Sequence, residues 1–233
     1  MTARDIEQAY ATLAKRDRVL ASLLQEYGPQ EPFQWHDGGR TGSSQFAAML
    51  LHIVGQKISA ISAFAVYDRV ASATDGIPTP TGVLRLGAGR LRACGLSEAK
   101  ASYVLDFAQA QATGAIDIEG MEGLDDEQVV STLTTVRGIG VWSAETFLIH
   151  NLRRPDVLPA GDLGLRRAVR NRWSTDGLPT VAELRAIGVA WSPYRSYAAA
   201  LLWRSLRPVG ELSDPKARAL SRAASKSTPV GDT

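Results

Sequence analysis

Between Leu133 and Trp173 the chain reads LTTVRGIGVWSAETFLIHNLRRPDVLPAGDLGLRRAVRNRW, and two features of this stretch could do chemistry. The first is the turn Gly138-Ile139-Gly140, with helix-forming sequence on both sides. Glycine lacks a Cβ, so it takes positive φ and lets another backbone come close. A helix starting directly after it, at Val141-Trp142-Ser143, points free N–H groups and the positive end of its dipole outward, which suits a phosphate. The second is a single carboxylate, Asp162, which follows Pro159-Ala160-Gly161 and opens another helix. Read locally, a Gly-x-Gly turn is often only a corner, and Asp162 is a good N-cap. The cap does not preclude catalysis, because helix N–H groups and the dipole keep a carboxylate ionised.

The surrounding charge favours an anionic partner. From Arg137 to Arg172 seven arginines (Arg137, Arg153, Arg154, Arg166, Arg167, Arg170, Arg172) meet three acids (Glu145, Asp156, Asp162), while the whole chain carries only +2. Basic charge concentrated in this way is what a phosphate-binding surface needs. Arg170 and Arg172 read more simply as a solvated helix face.

The elements that must position these residues are helical. Apolar residues Ile6, Tyr10, Leu13, Leu20, Leu23 and Leu24 recur at helical spacing from Arg4 to Tyr27, and Gly28-Pro29 stops that run. Ser44 precedes an apolar helix through Val54, Gly55-Gln56 breaks it, and another helix runs from Ser59 to Ala71. His52 lies within the apolar run and reads as a core histidine. Short helices follow at Pro80–Leu86 and Ala88–Cys94. Ser97, Asp125 and the capping box Thr180-x-x-Glu183 open others, and a last helix spans Pro193 to Leu206. No alternating strand pattern of useful length is present, so the expected class is all-α.

Composition narrows the possibilities. At 233 residues, 45% hydrophobic, the chain can bury a full core. A single cysteine, Cys94, allows neither an intramolecular disulfide framework nor a four-cysteine iron–sulfur cluster. No His/Cys/Asp spacing suggests zinc. No run approaches the ~18 apolar residues of a membrane span, and no secretory leader is visible. The expectation is a soluble, cytoplasmic or otherwise intracellular monomer.

Three segments carry a resemblance to a known family. LTTVRGIGVWSA resembles the helix-hairpin-helix of the DNA glycosylase superfamily, and PDVLPAGDLGLRRAV its Gly/Pro-rich loop with the characteristic aspartate. FAAMLLHIVGQKIS and WSPYRSYAAALLWR are similar to the Gly-Gln turn and last long helix of the AlkA-like 3-methyladenine DNA glycosylases. The likeness runs from about Gln45 to Pro208. It implies the HhH-GPD fold without an N-terminal β domain, with two helical subdomains flanking a DNA-binding cleft. One glycosylase domain would cover 1–212, with 30–124 inserted between 1–29 and 125–212, and a partly disordered tail at 213–233.

The resemblance also assigns roles. Asp162 would stabilise a positively charged sugar and help orient water. In bifunctional members a lysine sits where this chain has Trp142, and Lys100 and Lys216 lie outside the motif, so the implied reaction is monofunctional hydrolysis without strand cleavage. Alkylated purines are cationic and favour aromatic walls, which the resemblance assigns to Trp142 and Trp203. Thr146 stands where longer relatives have a pocket tyrosine, with Glu145 adding charge beside it. Duplex DNA containing a damaged base would meet Arg137, Gly138, Ile139, Gly140, Val141 and Ser143 of the hairpin, and Arg195 of the last helix. The turn at Gln56, Lys57 and Ile58 would plug the gap left by the base, with Lys57 and Ile58 both candidates. No cofactor is required. A structural Na+ or K+ on the main-chain carbonyls of Thr134, Val136 and Ile139 follows from the family alone. Hypoxanthine excision and non-catalytic DNA binding remain as alternatives.

Overall fold

The computed structural model describes residues 3–34 and 37–207. The expected tail at 213–233 lies outside them. No strand occurs among the described residues, in agreement with the all-α expectation.

The described residues form two compact units, one of 3–34 with 141–207 and one of 37–140. The family resemblance sets the divisions at 29/30 and 124/125; contacts set them at 34/35 and 140/141. The chain therefore passes from one unit to the other within the hairpin.

The 37–140 unit holds α3 (Gln45–Gly55), α4 (Ala60–Ala73), α5 (Pro80–Ala93), α6 (Glu98–Ala112) and α7 (Asp126–Thr134). Ser44, Ser59, Thr79, Ser97 and Asp125 each cap the following helix by accepting a backbone N–H, the arrangement that satisfies orphan donors at a helix start. Every residue of α3 from Phe46 to Val54 is buried, which explains an apolar run that only His52 interrupts. Phe46 stacks on Phe107 of α6 with ring centroids 4.7 Å apart. α5 is two short helices joined at Gly87, whose φ of 65° breaks the backbone where the sequence separates them.

The other unit holds α1 (Ala3–Arg16), α2 (Arg18–Tyr27), α8 (Val141–His150), α9 (Leu163–Trp173), α10 (Val181–Gly188) and α11 (Arg195–Ser205). α11 packs against α1, α2 and α9. The single helix predicted from Arg4 to Tyr27 is broken at Asp17. Its carboxylate accepts the N–H groups of Val19 (2.8 Å) and Leu20 (3.3 Å), restarting the chain as α2. Its other oxygen accepts the indole N–H of the fully buried Trp191 at 2.9 Å. A buried indole N–H needs an acceptor. That demand, from a residue far away in sequence, is why the break was invisible to periodicity.

Asp17→Ala removes a cap and strands the Trp191 N–H. The expected loss is about 2–4 kcal/mol of unfolding free energy in urea titration. Asp17→Asn, which keeps an acceptor, should lose clearly less.

Candidate active site and nucleic-acid contacts

In the unit containing α8, α9 and α11, two of the expected residues, Trp142 and Trp203, meet on the carboxylate of a third, Asp162. Asp162 is the N-cap of α9, and its Oδ1 accepts the N–H of Leu165 at 2.8 Å. The indole N–H of Trp203, on α11, donates to the same Oδ1 at 3.1 Å. The indole N–H of Trp142, in the first turn of α8, donates to Oδ2 at 2.7 Å. The cap reading and the functional reading of Asp162 are thus both satisfied by one geometry. A carboxylate oxygen offers about two lone-pair directions. Oδ1 has both engaged; Oδ2 keeps one for a water or a substrate.

The two indole N–H groups are thus committed to one carboxylate. Trp142 is 41% exposed, so its ring remains accessible while its N–H is fixed. Trp203 has one face against His150, with centroids 6.0 Å apart and planes 26° from parallel. Gly164 makes the approach possible: a Cβ there would lie 2.8 Å from Asp162 Oδ1 and 3.2 Å from Leu206. Thr146 is buried, and its hydroxyl donates to the carbonyls of Trp142 (2.9 Å) and Ser143 (3.0 Å). It supports the first turn of α8 from within. Beside it, burial pushes the Glu145 carboxyl up to about 7, against the pull of Arg185. Its charge is therefore only partial at neutral pH, where the sequence suggests a full negative charge.

Arg195 serves α11. Its guanidinium makes a two-pronged pair with Asp156 at 2.7 and 2.9 Å, and Asp156 also accepts from Ser192 and the Arg195 N–H. Burial works against ionisation of Asp156, but these donors outweigh it and lower its carboxyl. Two more arginines of the basic stretch are engaged internally. Arg172, read from the sequence as part of a solvated helix face, pairs with Glu26 at 2.8 Å, and Arg166 donates to the Pro179 carbonyl at 2.6 Å. The basic stretch is thus partly scaffold. Arg167 and Arg170 are exposed.

In the 37–140 unit lie the hairpin turn and the Gly55–Ser59 turn. Gly138 has φ of 92°, and a Cβ there would sit 2.2 Å from the Tyr103 ring. The sequence accounts for this glycine by phosphate approach; the structure shows that packing on α6 already demands it. Gly140 has open space where a Cβ would be. Ile139 is buried and donates its N–H to the Val136 carbonyl at 3.1 Å. Arg137 pairs with Asp106 at 2.7 Å and also donates to Ser102, with its side chain still 64% exposed. In the other unit, α8 opens with exposed Val141 and buried Ser143. Gln56 caps α3 and its side-chain amide donates to the Gly138 carbonyl at 2.8 Å. Lys57 is left-handed, with φ of 57°, and Ile58 is 41% exposed. His52 is buried, as a core histidine should be.

Sequence reasoning missed Gly164, Tyr103 and the positions of the two indole N–H groups. Only the small residue two places after Asp162 was a usable signal.

A helical hairpin followed by a glycine-rich loop and a capped aspartate defines a class of base excision repair proteins, and the comparisons agree. Residues 51–193 match the HhH-GPD superfamily base excision DNA repair protein family, and the chain belongs to it. DNA-3-methyladenine glycosylase 1 of Schizosaccharomyces pombe is 30% identical over 163 residues, covering 69% of this chain and 72% of that protein. Bacillus subtilis YfjP is 30% identical over 170 residues, covering 70% of this chain and 59% of that protein. The solved S. pombe 3-methyladenine DNA glycosylase Mag1 in complex with abasic DNA has a TM-score of 0.73 at 27% identity, covering 84% of this chain and 95% of that one.

Glu145 gives this unit a pH signature. A carboxyl raised by folding binds its proton more tightly folded than unfolded, so stability falls as pH rises from the ordinary carboxyl range through about 7. Glu145→Gln should therefore raise the Tm little at pH 5 and by several degrees at pH 8 in thermal melts.

Proposed function

We propose that this chain is a monofunctional DNA glycosylase of the 3-methyladenine type, acting on alkylated purines in duplex DNA. The observation that carries this reading is the Asp162 carboxylate held by Trp142, Trp203 and the start of α9.

Alkylation at N3 or N7 makes a purine a cationic leaving group. Breaking its bond to C1′ transfers the bonding electrons to the base, which departs neutral, and leaves positive charge on the sugar. A fixed carboxylate beside that charge stabilises the transition state without reorganising. Water then adds to C1′ and its proton is lost, with the open direction of Asp162 Oδ2 as the receiving side. The exposed Trp142 ring suits a cationic base through cation–π attraction. An indole cannot attack C1′, so the abasic strand is left intact.

The hairpin and the turn after α3 supply the grip. The N–H groups opening α8 suit a phosphate. Arg137 remains exposed enough to add a contact. Of the two plug candidates, Ile58 is the better. It is apolar and exposed, and a plug must replace the stacking lost by the extruded base. The chain would act as a monomer on duplex DNA inside the cell. No described helix is long and apolar enough to cross a membrane.

No group of three or more His, Cys, Asp or Glu side chains able to hold a metal occurs among the described residues. The carbonyls of Thr134, Val136 and Ile139 would be the donors for Na+ or K+. Neutral oxygens suit such an ion, and the Val136 carbonyl, which accepts from Ile139 N–H, keeps a second lone pair. The ion would only brace the turn.

Asp162→Asn should reduce release of free methylated bases from alkylated duplex by at least about 100-fold, as loss of a transition-state electrostatic group does. Binding to DNA should change by no more than a few fold. Borohydride should trap no protein–DNA adduct. Near wild-type release by Asp162→Asn would refute the assignment, and a trapped adduct would refute the monofunctional one.

A further inference from the structure

One face of α6 carries side chains that the proposed chemistry does not use. The Lys100 ammonium donates to the carbonyls of Val54 (2.8 Å) and Gln56 (2.6 Å), at the end of α3 where helix carbonyls lack internal partners. Gln56 in turn reaches the Gly138 carbonyl of the hairpin turn. One turn along α6, the Tyr103 ring fills the space beside Gly138. One turn further, Asp106 holds Arg137. The same helix thus holds both the Gly55–Ser59 turn and the hairpin turn.

We propose that Lys100 is a positioning residue for DNA engagement, fixing the turn that presents Ile58 against the hairpin turn through Gln56. The proposal rests on the glycosylase reading. The turn needs such a hold: Lys57 adopts a left-handed backbone, which disfavours any residue with a Cβ by about 1–2 kcal/mol. Lys100 meets that need with donors aimed at two carbonyls that flank the turn's first residues. Burial lowers its ammonium pKa, as expected of a lysine engaged by the protein main chain in place of bulk water. An arginine could keep the donors; a methionine could not.

The test is a double-mutant cycle read as Kd for a duplex containing a tetrahydrofuran abasic analogue. Lys100→Met and Ile58→Ala should each weaken binding by about tenfold, the scale of one lost hydrogen-bonded or packed contact. Together they should weaken it little more than Ile58→Ala alone, because Lys100 acts through the turn. Lys100→Arg should restore most of the affinity. Penalties that multiply to about 100-fold, or no penalty from Lys100→Met, would overturn the proposal. Should Lys100→Met not fold, Gln56→Met, which removes the donor to the Gly138 carbonyl, enters the same cycle with the same criteria. Failure of the wild-type chain to prefer the abasic duplex over an undamaged one would instead defeat the glycosylase reading itself.

Discussion

The Asp162 carboxylate is the point on which the α8–α9–α11 unit converges. Three N–H donors reach it: the Leu165 backbone and the indoles of Trp142 and Trp203. None is a formal charge. A carboxylate paired with arginine would have its field largely cancelled; one held by neutral dipoles keeps its full negative charge while being fixed in direction. For the proposed chemistry that arrangement suits a sugar cation, because the charge is preorganised and not neutralised. The cationic side chains of the unit have other work. Arg195 pins the start of α11 through Asp156, and Arg172 ties α9 to α2 through Glu26.

Small residues let the convergence happen. At Gly164 a side chain would crowd the Asp162 carboxylate, Leu206 and Trp203 together. Thr146 returns its hydroxyl to the Trp142 carbonyl, a bond within α8 that steadies the turn from which the indole projects. His150 lies along the Trp203 ring. In the 37–140 unit the same economy appears at Gly138, where a ring from α6 occupies the place a side chain would take. A glycine there serves packing first, so its presence in a motif is not by itself a measure of phosphate binding.

Much of this was legible in the sequence because the signals are local. The caps at Ser44, Ser59, Ser97, Asp125 and Thr180 each act within three residues, and each appears where the residue types place it. The Gly87 break in α5 is of the same kind. The Asp162 cap was readable; the catalytic role proposed for it rests on the resemblance of the hairpin and loop to the family. What was not readable depends on direction over distance. Asp17 looks like one polar residue in a helical run until Trp191 demands an acceptor. Trp142 and Trp203 could be placed near a pocket by resemblance, yet no pattern shows that both N–H groups point at one carboxylate. Lys100 lies outside the hairpin motif, and its engagement with the carbonyls of Val54 and Gln56 leaves no trace in spacing.

In the proposed reaction the indole N–H groups, and not merely the indole surfaces, set the carboxylate. This can be tested by replacing Trp142 and Trp203 singly with benzothienylalanine, which keeps the ring shape and exchanges N–H for sulfur. Single-turnover release of methylated base from saturated duplex should fall about 10- to 100-fold for each, the scale of one charge-assisted hydrogen bond, with abasic-duplex affinity nearly unchanged. An unchanged or faster rate in both variants would contradict the account and return the two tryptophans to the role of pocket walls.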